Sequence, residues 1–430
     1  MTRTLGVTVV ALTLYVLTTS QLAAESFEPI IVSDAAGLRA ALVSANAGRR
    51  ILVTRGTYII NEPLVVPDGV VLDGEGVMLG RPMPDGFRAG TETRIVADPA
   101  GSFEGDLLTL GNGVTIRDLV IEDLAGRRGN VVAIYSRHPG DSLAASIVQC
   151  EIINPNVSSL DLDGPVGRAV VVLTRNRQLG APPDPDTGAA VTATLTGSII
   201  RSTSGGSAIF AINFAAGGNV TVMATANRVH GSVDATAGVS RPDEVTSAQT
   251  TLISQGNLYS WLAGTAPAWA IIGGSSVPVA GFVAPGASGN VNRFTSVGDR
   301  IDGFRMGIFA AAARRQNLTS DENSDNVVDL RMTELRIRTT GSGAADLILH
   351  GARAENGQYT PGNNNVLRVT MIGVTGSGTR ANSYAHEQGP AGPQNLGTGN
   401  RLEIRSSKFV FGLLNPGIVP APAAEFFLVP

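Results

Sequence analysis

The feature that most constrains this chain is a loose repeat, in which a Gly, Asp or Asn followed by Asn precedes an apolar-x-apolar step. It appears as Gly111-Asn112-Gly113-Val114-Thr115-Ile116, and again at Gly129-Asn130-Val131, Gly218-Asn219-Val220 and Gly289-Asn290-Val291. It returns at Asp325-Asn326-Val327, Asn364-Asn365-Val366 and Gly399-Asn400-Arg401-Leu402. The last four copies start at residues 289, 325, 364 and 399, intervals of 36, 39 and 35. Short strands of this kind cannot bury their inner face alone, whereas stacked turns of chain bury a continuous aliphatic core. Asn and Gly suit the left-handed backbone of the corners. The competing architecture is an antiparallel sandwich with regular turns. Tight two-residue hairpin turns are scarce here, which favours the stacked coil.

Composition agrees with one large apolar core. The chain has 430 residues, 43% hydrophobic and 16% charged, so disorder is excluded. Cys150 is the lone cysteine, which excludes a disulfide scaffold. The net charge of -4 and 5% aromatic content do not mark a nucleic-acid binder.

Residues 1–26 read as a secretory signal, with Arg3, an apolar stretch from Leu5 to Leu17 and small residues at Ala23-Ala24. The apolar stretch is shorter than a bilayer span, so no membrane span is expected after its removal. A secreted or periplasmic location follows as an expectation. Residues 27–50 form an N-terminal cap helix, with Ser33 or Asp34 as its cap and Leu38, Ala41, Leu42 and Ala45 at helical spacing. Residues 51–414 form the coil domain, and 415–430 a C-terminal cap or tail. The two caps answer the exposed backbone and core at the ends of a stack.

Leu38 to Asn46, Gly56-Thr57-Tyr58, Val66 to Gly74 and Gly113 to Leu119 together resemble the pectate-lyase-like superfamily of right-handed parallel β-helices. The resemblance implies an all-β fold, a right-handed parallel β-helix, and a polysaccharide or cell-envelope glycan as partner. It also covers non-catalytic adhesin stalks. Pectate lyases of this superfamily carry calcium-binding acids, a Trp-Ile-Asp-His-type strand and a catalytic Arg. Here Val148 and Gln149 stand where that strand's Asp and His belong, and the clustered Asp with Gly-His-Gly of polygalacturonases is absent. The resemblance thus implies the fold and a sugar polymer, and neither mechanism carries over directly.

Cleaving a uronate by elimination needs countercharge at the carboxylate and a base for the C5 proton. The richest polar region of the first half holds Glu122, Asp123, Arg127, Arg128, Arg137, His138, Asp141, Asp161, Asp163 and Arg168, all after expected strands. It reads either as an acid/Arg site for an anionic sugar chain or as solvated loop charge. Asp321, Asn323 and Asp325 place oxygens at alternate positions, as a Ca2+ loop does, although Met332 occupies the twelfth position. Arg336 and Arg338 alternate with Leu335 and Ile337 and face outward. Arg368, Arg401 and Arg405 recur in later turns, so stacking would align them into a basic substrate-binding stripe. His138, His230, His350 and His386 have no metal spacing. Two functions stand open: an exported protein that binds and cleaves a polysaccharide as lyase or hydrolase, and a non-catalytic scaffold or adhesin.

Overall fold

The computed structural model describes residues 28–75, 92–100, 103–125, 127, 129–136, 138–156, 167–174, 188–203, 207–213, 217–237, 247–261, 269–275, 288–312, 314–315, 324–340, 345–350, 352–354, 363–376, 380–381, 384–386, 399, 401–406 and 424–428. The expected secretory signal lies outside the described residues.

Among the described residues every strand pairing is parallel, and each coil contributes one strand in turn to sheets A, B and C. Sheet A has 13 strands, sheet C 10 and sheet B 9, with a further sheet of 3 in the later coils. The architecture is the expected right-handed parallel β-helix, and the antiparallel alternative is overturned by the pairing. In sheet A, Val191, Val220 and Thr250 stack in register and point inward, as do Leu195, Ala224 and Ser254. Ile200, Val229 and Tyr259 do the same in sheet B, and Val170, Ile209 and Val233 in sheet C.

The corner from sheet A to sheet B is made by a single left-handed residue in coil after coil: Asp118, Gln149, Gly197, Ala226, Gly256, Gly298, Glu334 and Gly373, with φ between 51° and 65°. The next residue turns inward and bonds to its counterpart one coil on. Cys150 N donates to Ser198 Oγ (3.1 Å), Ser198 N to Asn227 Oδ1 (2.8 Å), Asn227 N to Asn257 Oδ1 (2.8 Å) and Asn257 N to Asp299 Oδ1 (2.6 Å). A second ladder runs along the corner into sheet A, where Ala248 N, Asn290 N and Asn326 N donate to the Oδ1 of Asn290, Asn326 and Asn365. These side chains satisfy N–H groups that the bend removes from the sheet pairing. Burial raises the pKa of Asp299, offset in part by its bonds from Ser296 and Asn257.

The sequence repeat therefore marks a real corner in its last four copies. Gly289, Asp325, Asn364 and Gly399 all sit in the left-handed region, and the three intervals are coil lengths. Earlier copies differ. In the coil of Gly218-Asn219 the left-handed residue is Gly217, and Asn219 is the exposed first residue of its strand. Gly129-Asn130 belongs to the corner into sheet C, because Asn130 N bonds Asp106 Oδ1 and Val132 opens a sheet C strand.

The helix is Ala35–Ala41, shorter than expected, capped by Asp34 Oδ1 accepting from Gly37 N (2.6 Å). Leu38 and Ala41 are buried, whereas Ala45 is exposed in a separate single turn, Ser44–Asn46. The strand Ile30–Val32 precedes the helix and pairs with Arg50–Val53, so sheet A starts upstream of residue 51. At the other end Ala424–Leu428 pairs with Arg401–Ser406. No helix among the described residues is long and apolar enough to cross a membrane.

Asn257→Ala leaves the Asn227 amide without an acceptor and should cost about 2 kcal/mol. Ala226→Gly relieves a left-handed alanine and should gain up to about 1 kcal/mol. Urea unfolding midpoints should move in opposite directions for the two variants.

Candidate functional site on the outer face of sheet B

The first-half cluster does not converge. Asp123 and Arg127 are buried and bonded to each other at the corner after the sheet B strand Val120–Glu122. Asn156 Nδ2 donates to Asp123 Oδ2 (3.1 Å), and the Arg127 guanidinium also reaches Asn130 O (3.2 Å) and lies 4.6 Å over the Phe103 ring. This network pins a corner and shows no free face to a ligand. Arg168 is also buried, with its guanidinium over the Phe210 ring on the outer side of sheet C. Arg137, Asp161 and Asp163 lie outside the described residues.

His138 and Asp141 sit across sheet C from Asp123, at the corner leading into sheet A. There they line a cavity of about 660 Å³ with Tyr135, Asp68, Asn112 and Leu143. Its polar atoms serve the corner. Asp141 Oδ2 accepts from His138 N (2.7 Å), Tyr135 Oη donates to Asp106 Oδ2 (2.9 Å), and Asp68 Oδ1 accepts from Asn112 N (2.8 Å).

Of the expected Ca2+ loop, Asp321 and Asn323 lie outside the described residues. Asp325 is a left-handed corner residue whose Oδ1 accepts from Asn364 Nδ2 (3.1 Å). Among the described residues no three His, Cys, Asp or Glu side chains group as metal ligands.

The expected arginine stripe is split between two sheets. Arg368, Arg401 and Arg405 belong to sheet A, where Arg368 pairs with Glu403 (3.3 Å). Arg336 and Arg338 belong to sheet B. The outward alternation at 335–338 is right. Alignment with the later arginines fails because the sequence step from Arg338 to Arg368 crosses from one sheet to another.

What stacks on Arg336 and Arg338 is a set of side chains from earlier coils, all polar except Leu258. Strand register places Arg228, Leu258, Arg300 and Arg336 in one outward column, and Arg201, His230, Ser260, Asp302 and Arg338 in the next. His230 Nδ1 and Ser260 Oγ are 2.7 Å apart. Burial, then Arg201 and Arg228, lower the pKa of His230 to about 4, so its imidazole is neutral at ordinary pH. Arg201 pairs with the buried Glu151 (2.9 Å), and Asp302 takes Arg300 (3.0 Å) and Arg338 (2.6 Å). Among the described residues Arg228 and Arg336 have no carboxylate within ion-pair distance. Trp261 follows Ser260 at the rim and packs on Phe304, ring centroids 6.1 Å apart.

The sequence shows His230 only as a histidine without metal spacing and does not link it to Ser260, which lies 30 residues on and meets it through strand register. Cys150 is a fully buried core thiol, its pKa pushed up to about 12 chiefly by desolvation, and so is not a nucleophile.

No family model and no curated protein matches the chain. Among solved structures, the PL6 family polysaccharide lyase of Pseudopedobacter saltans is similar to it at 13% identity and a TM-score of 0.34, over 94% of this chain and 92% of that one.

Arg127→Leu should lower stability by about 3–5 kcal/mol, because it strands the buried Asp123 carboxylate. A thermal melt checks this: an unchanged melting temperature would mean that Asp123 and Arg127 are solvated and open to a ligand.

Proposed function

We propose that the protein is exported and holds an acidic polysaccharide lengthwise across the outer face of sheet B, where it acts on the chain. The observation that carries this reading is the series Arg201, Arg228, Arg300, Arg336 and Arg338, spread over four of five successive coils and interrupted only at the strand Leu258–Ser260. Neighbouring strands lie about 4.8 Å apart, so a polymer running along the axis passes a new strand at each step of about that length. Guanidinium groups bind carboxylates and sulfates in a planar, two-point manner, which suits a repeating anion. Among the described residues no carboxylate pairs with Arg228 or Arg336, so there a ligand anion meets a guanidinium without displacing one.

A second reading draws on the pairs Arg300–Asp302 and Arg338–Asp302. These already neutralise part of the face and would serve a non-catalytic scaffold equally well. Mixed charge of this kind stabilises little by itself when exposed.

Electrophoresis through gels containing polygalacturonate, alginate or neutral dextran separates the readings. Retardation by the acidic polymers alone is expected, falling as salt is raised. The double variant Arg228→Ala/Arg336→Ala should bind about tenfold or more weakly with its melting temperature unchanged, since each charge-assisted contact contributes about 1.5–3 kcal/mol. Equal retardation by dextran, or none in any gel, would remove the acidic-polysaccharide reading.

A further inference from the structure

We infer that His230 is the general base, and Ser260 the proton donor, of a β-elimination that cleaves a 4-linked uronate polymer on sheet B, with Arg228 holding the reacting carboxylate. The inference rests on the proposed binding of an acidic polysaccharide and adds the reaction, the reacting residues and the uronate class.

The geometry carries it. His230 occupies the middle of an outward column, with Arg201 on the preceding strand, Ser260 on the following one and Arg228 two residues earlier on the same strand. The 2.7 Å contact with Ser260 admits the tautomer the reaction requires, in which Nδ1–H donates to Oγ and the Nε2 lone pair is free for a proton. Ser260 then keeps its own hydroxyl proton for the substrate. The charged groups around the ring are Arg201, Arg228 and, one strand beyond Ser260, Asp302. Glu151 reaches the site through Arg201. Burial first, and then both cations, disfavour imidazolium, which keeps the base unprotonated until a uronate arrives.

The step balances. With the carboxylate against Arg228, the C5–H bond is acidified. Nε2 takes the C5 proton, the freed pair forms the C4=C5 bond, and the C4–O bond breaks. The departing oxygen takes the Ser260 hydroxyl proton, and Ser260 recovers one from Nδ1. The products are a 4,5-unsaturated uronate end and a free hydroxyl on the other fragment. His230 ends neutral with its proton on Nε2, and exchange with solvent restores the starting tautomer. An esterase reading of the same Ser–His pair is weaker, because a flat strand face lacks paired N–H donors for an oxyanion.

The test uses the full chain with polygalacturonate, polymannuronate and polyguluronate. Ultraviolet absorbance of unsaturated ends is followed beside gel retardation on the same polymers. Turnover of at least one polymer is expected. His230→Gln should lower kcat about 100-fold or more with retardation and melting temperature preserved, and Ser260→Ala should lower it by a smaller factor. The acidic limb of kcat/KM should lie near pH 4 rather than near the ordinary histidine value of 6.5. Retardation without unsaturated ends, or a His230→Gln enzyme of full activity, overturns the base assignment and leaves the binding reading standing. An acidic limb at the ordinary histidine value also overturns it, because it requires an imidazole free of the burial and of the guanidinium field at this position. No retardation on any polyuronate takes both down.

Discussion

The structure depends on how its corners satisfy the backbone. A strand bent through one residue takes an N–H out of the sheet pairing, and an unpaired buried N–H costs a sizeable part of the stability of any fold. Here the next coil supplies the acceptor, from Ser198 through Asn227 and Asn257 to Asp299 at one corner and from Asn290 to Asn365 at the other. Each bond joins neighbouring coils, so it fixes their stagger as well as closing the corner. Register is thereby set at the edges of sheet A and carried into sheet B, which begins with the next residue, Arg228 after Asn227.

Fixed register turns scattered residues into columns, and the three faces then part company. Sheet C turns outward Val171, Phe210, Ile212 and Phe309, all buried, so its face is covered at these positions, while Val65 near its start is exposed. Sheet A turns outward an uncharged middle. Thr192, Thr194, Thr196, Thr221, Met223, Thr225, Thr251, Ile253 and Gln255 occupy three successive strands without a single ionised group. Among the described residues of the same coils, sheet B turns outward Arg201 and Arg228 beside the neutral His230 and Ser260, and sheet C carries Asp234, which accepts from Ser207. Buried ion pairs such as Asp123–Arg127 belong to neither class. Their desolvation is repaid only by close mutual bonding, and they fix corners.

Much of the fold was legible because corners have chemical requirements that show in one-dimensional spacing. Gly289, Asp325, Asn364 and Gly399 share one left-handed position, and their intervals are coil lengths. The inward residues of 335–338 could be read from alternation alone. The site was less legible, since columns depend on coil length. Steps from Arg201 to His230, Ser260, Asp302 and Arg338 are 29, 30, 42 and 36 residues, set by loops of unequal size. No fixed period finds that column. Arg338 and Arg368 are spaced like one coil and yet lie on different sheets. Charge density misled in the same way: the dense run from Glu122 to Asp141 is divided between the two ends of a sheet C strand.

The pairing of a neutral imidazole with two guanidinium groups also couples binding to basicity. In the free protein burial suppresses proton uptake by His230, and Arg201 and Arg228 add to this. A carboxylate placed against Arg228 cancels part of that positive field, so the imidazole becomes more basic at the moment a C5 proton lies within reach. Further desolvation by the bound polymer works against this gain, and the net effect depends on how closely the carboxylate approaches the ring. A neutral polymer would supply the desolvation without the charge and leave His230 a weaker base. In the proposed reaction, selectivity for an acidic chain would reside in the chemical step as well as in binding, because the substrate's own charge would help prepare the group that attacks it.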